Sequence, residues 1–192
     1  MKVLGITGGV GSGKSEVLTY LEEAYGAVVC QMDKVAQELE KKGTPCFQKI
    51  VETFGAEMIG ADGELDRRKL GALVFADGEK LALLNRIVHP AVLEWVRQDI
   101  EEKEEEGKQL YVVEAALLPE VGGEICGEIW YIYADPQVRR ERLKASRGYS
   151  DEKIADMIRS QPSEEAFRRI STAVIDNSGS FENTKRQIGD RL

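Results

Sequence analysis

A glycine-rich segment near the start of the chain constrains the fold more than any other feature of the sequence. Residues Gly8–Ser15, GGVGSGKS, fit the pattern G-x-x-x-x-G-K-[ST]. The apolar run Val3–Thr7 precedes this segment. Apolar residues follow it at helical spacing, namely Val17, Leu18, Leu21, Ala24 and Tyr25. The sequence therefore predicts a strand, a phosphate loop and a helix that ends at Gly26.

The residue types of this loop suit a nucleoside triphosphate such as ATP. Glycines let backbone N–H groups turn inward around phosphate oxygens, and the helix that begins near Lys14 adds the positive end of its dipole. We expect the Lys14 ammonium to reach the β- and γ-phosphates and the Ser15 hydroxyl to ligate Mg²⁺. The alternatives are a glycine-rich turn without a ligand and a dinucleotide-binding loop. Gly9, Gly11 and Gly13 are spaced G-x-G-x-G, and the Lys-Ser pair after them favours the triphosphate.

Composition favours one globular domain that acts on a small molecule. The chain has 192 residues, of which 42% are hydrophobic and 31% charged, and its net charge is −8. This length suits a single domain, 1–192, with a small inserted subdomain. Because duplex-binding proteins are usually basic, we expect no nucleic-acid partner, and a polyanionic ligand needs a local basic site. The sequence has no signal-peptide pattern and no long apolar run. We therefore expect a cytoplasmic protein without membrane association and infer no obligate protein partner.

The number and spacing of the cysteines indicate neither a disulfide-bonded fold nor a zinc site. Cys30, Cys46 and Cys126 lie far apart without C-x-x-C spacing, and His89 is the only histidine in the sequence. An odd, scattered set of this kind does not form a disulfide framework, and it leaves a zinc site incomplete. We expect the three thiols to be reduced.

Four further apolar runs are typical of buried strands. They are Ala27–Cys30, Leu110–Val113, Ile129–Ala134 and the shorter Ala173–Ile175. Helical segments separate these runs along the chain. This alternation predicts an α/β fold in which crossover helices connect the strands of a parallel sheet.

A long stretch between the second and third predicted strands lacks a strong strand signal. About 80 residues lie there, and they contain three helical patterns, Phe47–Phe54, Leu65–Phe75 and Lys80–Ile100. A single crossover helix needs far fewer residues. We therefore predict a helical insertion with a function of its own.

Asp33 follows the second predicted strand at its carboxyl end. In open α/β sheets, ligands bind at this edge, so the carboxylate is placed to accept a proton from a substrate hydroxyl. The alternative is a cap on the following helix, Lys34–Lys41, because Asp is among the best N-cap residues. The spacing leaves both interpretations open.

Five segments together resemble the dephospho-coenzyme A kinase family over nearly the whole chain. They are Gly5–Ser15, Asp33, Leu84–Pro90, Ala115–Leu118 and Ile175–Gly179. Many nucleotide-dependent enzymes share the phosphate loop, whereas His-Pro at 89–90 and Asp-Asn at 176–177, in this order, point to this family. The resemblance implies ATP-dependent phosphorylation of the ribose 3′-hydroxyl of dephospho-coenzyme A, which gives coenzyme A and ADP in the final step of coenzyme A biosynthesis.

The resemblance also implies an architecture. It is a five-stranded parallel sheet flanked by helices, of the nucleoside-monophosphate-kinase-like class of P-loop NTPases. A helical insertion at about 34–108 would bind coenzyme A, and an arginine-bearing lid would lie at about 135–150. The lid opens with Asp-Pro, a good helix start, and its basic residues are Arg139, Arg140, Arg142, Lys144 and Arg147. We assign charge stabilisation on the transferring phosphoryl group to Arg142, and an ordinary ion-pair surface is the alternative for any single lid arginine.

Site residues are carried over from the family by position. The catalytic residues are Lys14, Arg142 and Asp33, the last as general base. The expected nucleotide contacts are Gly9, Gly11, Ser12, Gly13, Lys14, Ser15, Glu16 and Asn177. The expected substrate contacts are Thr7, Asp33, Arg67 and His89, with Arg68 beside Arg67. For Asn177, expected near the adenine ring, the alternative is turn formation. For Arg67 it is a solvated helix start, and for His89 it is the shaping of a helix entry before Pro90.

The sequence departs from the family pattern at four places. Gln31-Met32-Asp33 keeps only the second acid of an Asp-x-Asp element, and Gln37 stands where an arginine is common. Glu114 replaces a frequent Asp; it is either a partner of Mg²⁺ through water or a carboxylate buried at a strand end. Arg147 lies one position after the arginine of many relatives, so the resemblance gives it no role.

Two other kinds of function share the phosphate loop. Another small-molecule P-loop kinase, such as a nucleotide or shikimate kinase, is one, and the size of the helical insertion argues against it. A GTP-dependent switch or an ATP-binding regulator is the other. The guanine-reading pattern N-K-x-D does not occur in the sequence.

Overall fold

The computed structural model describes residues 1–115 and 124–192. They divide into two units, the first formed by Met1–Cys30 with Lys103–Leu192 and the second by Gln31–Glu102. The second unit covers most of the stretch 34–108 that we predicted to be an insertion. Its role in binding coenzyme A stays a prediction.

The sheet has five strands, in the order β2-β3-β1-β4-β5. The strands are β1 (Lys2–Thr7), β2 (Val28–Gln31), β3 (Leu110–Glu114), β4 (Glu128–Tyr133) and β5 (Ala173–Asp176). Central β1 pairs in parallel with β3 on one side and β4 on the other, and β4 pairs in parallel with β5. The predicted five-stranded parallel sheet is confirmed, and every strand boundary lies within one residue of its prediction.

Nine α-helices lie in the described ranges. They are α1 (Lys14–Tyr25), α2 (Met32–Leu39), α3 (Pro45–Phe54), α4 (Arg67–Phe75), α5 (Gly78–Glu105), α6 (Pro136–Arg147), α7 (Asp151–Arg159), α8 (Glu164–Ile170) and α9 (Phe181–Gly189). The sequence patterns indicated α1 to α6 and missed the last three, which are short and mostly polar. Among the residues described, no helix is long and apolar enough to cross a membrane.

The core of the first unit places the phosphate loop at the end of a rigid strand. Alternate residues of β1, Leu4 and Ile6, are fully buried and point to one face, because side chains of a strand alternate between faces. They cluster with apolar residues of the other strands and of two helices, namely Val17, Leu18, Leu21, Val112, Trp130, Ile132, Ile175 and Ile188. On the opposite face, a Cβ at Gly5 would meet Cys126 Sγ and Ile129 Cγ1 at 3.1 Å, so a small residue lets these side chains approach the strand.

Two helices of the second unit, α3 and α4, begin with an N-cap residue whose side chain accepts a backbone hydrogen bond. Thr44 caps α3 by accepting a hydrogen bond from Phe47 N at 3.1 Å, with Pro45 as the first helical residue. Asp66 caps α4 by accepting one from Lys69 N at 3.0 Å, and this bond lowers the pKa of the Asp66 carboxyl. Both caps fix the path of the chain where a helix starts.

The three cysteines are thiols and form no disulfide with one another. Burial raises the pKa of the Cys126 thiol to about 12. Burial also raises the pKa of Cys46, helped by Glu40 and opposed by Lys49. Thiols of this kind stay protonated near neutral pH and are poor nucleophiles, so nothing in their chemistry suggests a catalytic role.

Candidate phosphate-binding site

The predicted phosphate loop joins the end of β1 at Thr7 to the start of α1 at Lys14. Gly11 and Gly13 adopt φ angles of 77° and 87°, in the left-handed region that favours glycine. Gly13 also occupies the N-cap position of α1. The strand, loop and helix predicted from the sequence are therefore confirmed, and two of the glycines are needed for backbone conformation.

Close packing gives a second reason for the glycines of the loop, because Arg139 and Asn177 lie against its backbone. A Cβ at Gly9 would lie closer than 3.0 Å to the Arg139 guanidinium, and one at Gly13 closer than 3.0 Å to the Asn177 amide. A Cβ at Gly11 would lie 2.8 Å from the Arg139 carbonyl oxygen. Real Cβ atoms essentially never make such contacts, so larger residues would push helix α6 and the Asn177 amide away from the loop.

Two side chains hold both polar groups of the Val10 residue. Its N–H donates to Gln161 Oε1 at 2.8 Å, and its carbonyl oxygen accepts a hydrogen bond from Arg139 Nε at 2.8 Å. Arg139 Nη2 also donates to Gln161 Oε1, at 3.3 Å. Burial lowers the pKa of the Arg139 guanidinium, an effect that Tyr131 opposes. Arg139 thus stabilises the loop through a hydrogen bond to its backbone. Gln161 is a second residue that holds Val10, and no sequence pattern indicated it.

The Ser12 carbonyl oxygen is held by two further side chains. It accepts hydrogen bonds from Asn177 Nδ2 at 2.9 Å and from Arg142 Nη1 at 3.4 Å. Arg142 Nη2 donates to the Asn177 carbonyl oxygen at 2.8 Å, which ties helix α6 to the end of β5. The Asn177 side chain is fully buried. Its predicted contact with an adenine ring stays a prediction, and the hydrogen bond to the loop is a role that the sequence did not indicate.

Lys14 and Glu114 meet at the carboxyl ends of neighbouring strands. Lys14 Nζ donates to the Gly8 carbonyl oxygen at 2.7 Å and lies 3.9 Å from Glu114 Oε1. The parallel register pairs Ile6 with Glu114, which brings the end of β3 beside the loop. The ammonium is therefore held at the loop by the Gly8 carbonyl oxygen and the Glu114 carboxylate, and this carboxylate lies next to the expected phosphate position.

A cavity of about 310 Å³ opens on the loop. Besides loop residues 9–15, its lining comprises Glu114, Arg142, Leu143, Ser146 and Arg147. Three cationic side chains and one carboxylate thus face the same space, together with the N-terminus of α1. The size lies within the usual range for small-molecule sites, and the positive excess provides the local basic site that an acidic protein needs for a phosphate ligand.

Two buried hydroxyls, one at the end of β1 and one in the loop, lack a hydrogen-bond partner within residues 1–115 and 124–192. Thr7 Oγ1 and Ser12 Oγ are almost completely buried, and neither has a hydrogen-bond partner among the described residues. Most buried polar atoms in proteins are paired, so an unpaired hydroxyl calls for an explanation such as a polar ligand. Both atoms belong to the loop or to the strand end that leads into it.

Asp33 does not cap a helix. Helix α2 begins at Met32 rather than at the predicted Lys34, its N-cap position is Gln31, and Asp33 is an acidic residue of the first turn. The capping interpretation is therefore wrong, because the helix starts earlier than the sequence pattern indicated. The Asp33 side chain is exposed and makes no hydrogen bond or ion pair with any described residue, so the carboxylate is available for chemistry.

Arg67 begins α4 and is engaged within its own unit. Its Nη1 lies 3.0 Å from Glu40 Oε2, and Nη2 donates to the Gln37 carbonyl oxygen at 3.2 Å. Burial raises the pKa of the Glu40 carboxyl, and Arg67 opposes this rise. Arg67 is thus an ion-paired residue rather than a merely solvated helix start, and its contact with substrate stays a prediction.

His89 lies in the middle of a helix. Helix α5 runs from Gly78 to Glu105 and passes through Pro90 without ending. The interpretation of His89 as the shaper of a helix entry is therefore wrong, because the helix has already made several turns before Pro90. A substrate contact by the partly buried His89 stays a prediction. The family segment 115–118 lies outside the described residues after Ala115.

The residues at the loop fit a magnesium ion. Within 1–115 and 124–192, no three His, Cys, Asp or Glu side chains cluster as a metal site would require. Mg²⁺ needs no such cluster, because it keeps several waters and binds through one or two protein oxygens together with substrate phosphates. The exposed Ser15 hydroxyl in the first turn of α1 and the Glu114 carboxylate are oxygens of this kind.

Comparison with solved structures supports the fold. A crystal structure from Thermus thermophilus superposes with a TM-score of 0.78 at 30% identity and covers 98% of this chain and 95% of that one. Dephospho-CoA kinase from Campylobacter jejuni has a TM-score of 0.70 at 20% identity, with 99% and 97% covered. Shikimate kinase from Acinetobacter baumannii reaches 0.55 at 15% identity, with 100% and 96% covered, so it shares the fold alone.

Sequence comparison identifies the family. The family model for dephospho-CoA kinase matches residues 2–183. Dephospho-CoA kinase of Carboxydothermus hydrogenoformans is 38% identical over 189 residues, which cover 98% of this chain and 91% of that protein. The enzyme of Bacillus cereus is 39% identical over 187 residues, with 97% and 93% covered. The phosphate loop, the parallel sheet and these matches agree, and the chain belongs to the dephospho-CoA kinase family of kinases.

Proposed function

We propose that this chain transfers the γ-phosphate of ATP to the ribose 3′-hydroxyl of dephospho-coenzyme A, which gives coenzyme A and ADP. Membership of the family supports the reaction. The structural observation that carries the proposal is the cavity on the phosphate loop, where Lys14, Arg142 and Arg147 line one space with backbone amides of the loop. Cations and amides in this arrangement neutralise a polyphosphate without contributing covalent chemistry.

Catalysis in this proposal is positioning and charge neutralisation. A bond forms between the γ-phosphorus and the ribose 3′-oxygen while the bond to the ADP oxygen breaks. Lys14 already lies over the loop, 2.7 Å from the Gly8 carbonyl oxygen, and its ammonium exchanges this neutral acceptor for β- and γ-phosphate oxygens. Arg142, held through the Asn177 carbonyl oxygen, stabilises the charge of the transferring group.

Asp33 takes the proton of the attacking hydroxyl. Its carboxylate is exposed and unpaired among the described residues, so no internal ion pair has to break first. A base within hydrogen-bond reach of the hydroxyl is typically worth about 10² to 10⁴ in rate. The same position in the first turn of α2 makes a carboxylate compatible with the helix dipole.

Mg²⁺ would be held by the Ser15 hydroxyl, with Glu114 contacting it through water. When bound, the ion neutralises charge on the β- and γ-phosphates. Glu16 in the same helix turn and the glycines of the loop complete the nucleotide contacts that we propose. The site is assembled by α1 and the end of β3, which the register of the sheet brings together.

The remaining assignments concern the acceptor. We assign coenzyme A binding to the helical stretch 34–108, with Arg67 and His89 as substrate contacts, and closure over ATP to the lid at 135–150. The buried Thr7 hydroxyl, unpaired within the described ranges, is a third contact of this kind. We place the reaction in the cytoplasm, with no nucleic-acid, membrane or obligate protein partner.

An acceptor panel tests the proposed function. ADP release with Mg-ATP is measured with dephospho-coenzyme A, AMP, adenosine and shikimate, and the product is analysed for the site of phosphorylation. We expect dephospho-coenzyme A to be by far the best acceptor, with the new phosphate on the ribose 3′-oxygen. Shikimate or AMP as the best acceptor would contradict the proposal and assign the chain to another P-loop kinase reaction.

Replacement of Lys14 tests the phosphate loop. Because the ammonium neutralises β- and γ-phosphate charge, Lys14→Ala is expected to lose nearly all phosphoryl transfer while its melting temperature stays close to that of the parent. Lys108→Ala is the matched control, since this exposed lysine precedes β3 at the opposite edge of the sheet. Near-parental turnover by a folded Lys14→Ala variant would refute the assignment.

Replacement of Asp33 tests the general base. Asp33→Asn removes the proton acceptor and leaves the helix cap at Gln31 untouched, so stability is expected to change by less than about 1 kcal/mol. We expect kcat to fall by about 10² to 10⁴ with little change in ATP affinity. Turnover within about threefold of the parent, with both substrates saturating, would remove Asp33 from the mechanism.

Glu79→Gln is the control for Asp33→Asn. Glu79 is also an exposed acid in the first turn of a helix, α5, and its replacement removes the same charge from a helix N-terminus. A general effect of lost helix-terminal charge would appear in both variants. A fall in kcat that is confined to Asp33→Asn identifies the specific role of that carboxylate.

A further inference from the structure

Helix α9 holds the end of β5 through two side chains one turn apart. Gln187 pairs with the backbone of Asp176: its Nε2 donates to the Asp176 carbonyl oxygen at 2.8 Å, and its Oε1 accepts from the Asp176 N–H at 2.9 Å. Thr184 Oγ1 donates to Asn177 Oδ1 at 2.8 Å. Two consecutive residues are thereby fixed: Asp176, the last residue of the strand, by its backbone and Asn177 by its side chain.

The Thr184 hydroxyl and the Ser12 carbonyl oxygen hold the two ends of the Asn177 amide. An asparagine amide has an acceptor oxygen at one end and a donor nitrogen at the other. Because Thr184 donates to the oxygen, the nitrogen is left to face the Ser12 carbonyl oxygen, to which it donates at 2.9 Å. Thr184 and Asn177 are both fully buried, so no solvent replaces the hydroxyl if it is lost.

The Ser12 carbonyl oxygen in turn sets the direction of a loop amide. A trans peptide is planar, and its C=O and N–H groups point in opposite directions. Asn177 and Arg142 hold the Ser12 oxygen, and so the Gly13 N–H of the same peptide points away from these two side chains. Within the part of the chain that the structure describes, this N–H has no hydrogen-bond acceptor, which leaves it available to a phosphate oxygen.

We propose that Thr184 is a positioning residue for ATP. It acts through Asn177, which in turn holds the Ser12–Gly13 peptide. Without the Thr184 hydroxyl, the buried Asn177 Oδ1 loses its donor, and the amide keeps only its contact with the Ser12 carbonyl oxygen. A rotated amide would face the Ser12 oxygen with its own oxygen, and the loop peptide would lose the shorter of its two side-chain hydrogen bonds. The inference rests on the proposed function, since it assumes that the loop binds the phosphates of ATP.

Thr184→Val tests this inference, because valine has nearly the same shape and no hydroxyl. We expect the Kd and the KM for ATP to rise about tenfold, which corresponds to ~1.4 kcal/mol, while the KM for dephospho-coenzyme A is unchanged. A merely structural role would lower the fraction of active enzyme and leave both KM values as they are. Thr184→Ser keeps the donor and is expected to bind ATP within about twofold of the parent.

Thr172→Val is the matched control. Thr172 hydrogen-bonds the Ile129 carbonyl oxygen at 3.0 Å just before β5, so the same substitution removes a hydroxyl at the other end of that strand. We expect its ATP affinity to be parental. Calorimetric binding and a thermal melt of each variant separate nucleotide affinity from stability.

The outcomes distinguish the inference from the function on which it rests. A folded Thr184→Val variant with parental ATP affinity, in an active parent background, would overturn the role of Thr184 alone. A parent chain that neither binds ATP nor phosphorylates dephospho-coenzyme A would overturn both. If Thr184→Val does not fold, Thr184→Cys, whose thiol is a weaker donor, should show a smaller loss, and parental affinity in that variant would also overturn the inference.

Discussion

The orientation of the peptides in the phosphate loop is the constraint on which the site depends. A loop binds phosphate through backbone N–H groups only if these groups converge on its inner side, and the backbone alone does not fix them there. In this protein, Arg139 and Asn177 donate hydrogen bonds to the carbonyl oxygens of Val10 and Ser12, at 2.8 and 2.9 Å. Because carbonyl and N–H point oppositely across a planar peptide, each of these hydrogen bonds turns the following amide away from the side chain that holds the carbonyl.

The same hydrogen bonds explain why the site draws on segments that lie far apart in the chain. Arg139 and Arg142 come from α6, Asn177 follows β5, and Glu114 ends β3, so the parallel order of the strands brings their carboxyl ends to one edge. The charged side chains of the site are brought to this edge in the same way. Cationic side chains of this acidic chain lie at this edge, where Lys14 is paired with one carboxylate and the two α6 arginines donate to backbone oxygens.

The features that could be predicted from the sequence are those with a short-range pattern, namely the strands and the phosphate loop. Buried parallel strands are continuous apolar runs, so β1 to β5 were located to within one residue, and the loop pattern fixed the position of Lys14. The start of α2 was misplaced because Gln31 caps it without a side-chain hydrogen bond, and so no capping residue marks the boundary. Gln161 and Thr184 escaped prediction for another reason: their partners lie more than a hundred residues away or act through a second side chain, and no local pattern records such contacts.

The central claim is that backbone amides on the inner side of the loop bind the phosphates of ATP, and amide NMR tests it most directly. On saturation of the ¹⁵N-labelled chain with Mg-ATP, we expect a large downfield shift of the Gly13 amide proton, because hydrogen bonds to charged acceptors are short and strong. Gly107 is the internal control: its φ is also positive, at 81°, but its N–H donates to the Glu104 carbonyl oxygen at 2.9 Å, before β3. A shifted Gly13 with an unmoved Gly107 agrees with the account. A Gly13 resonance that does not move when ATP is saturating would contradict it.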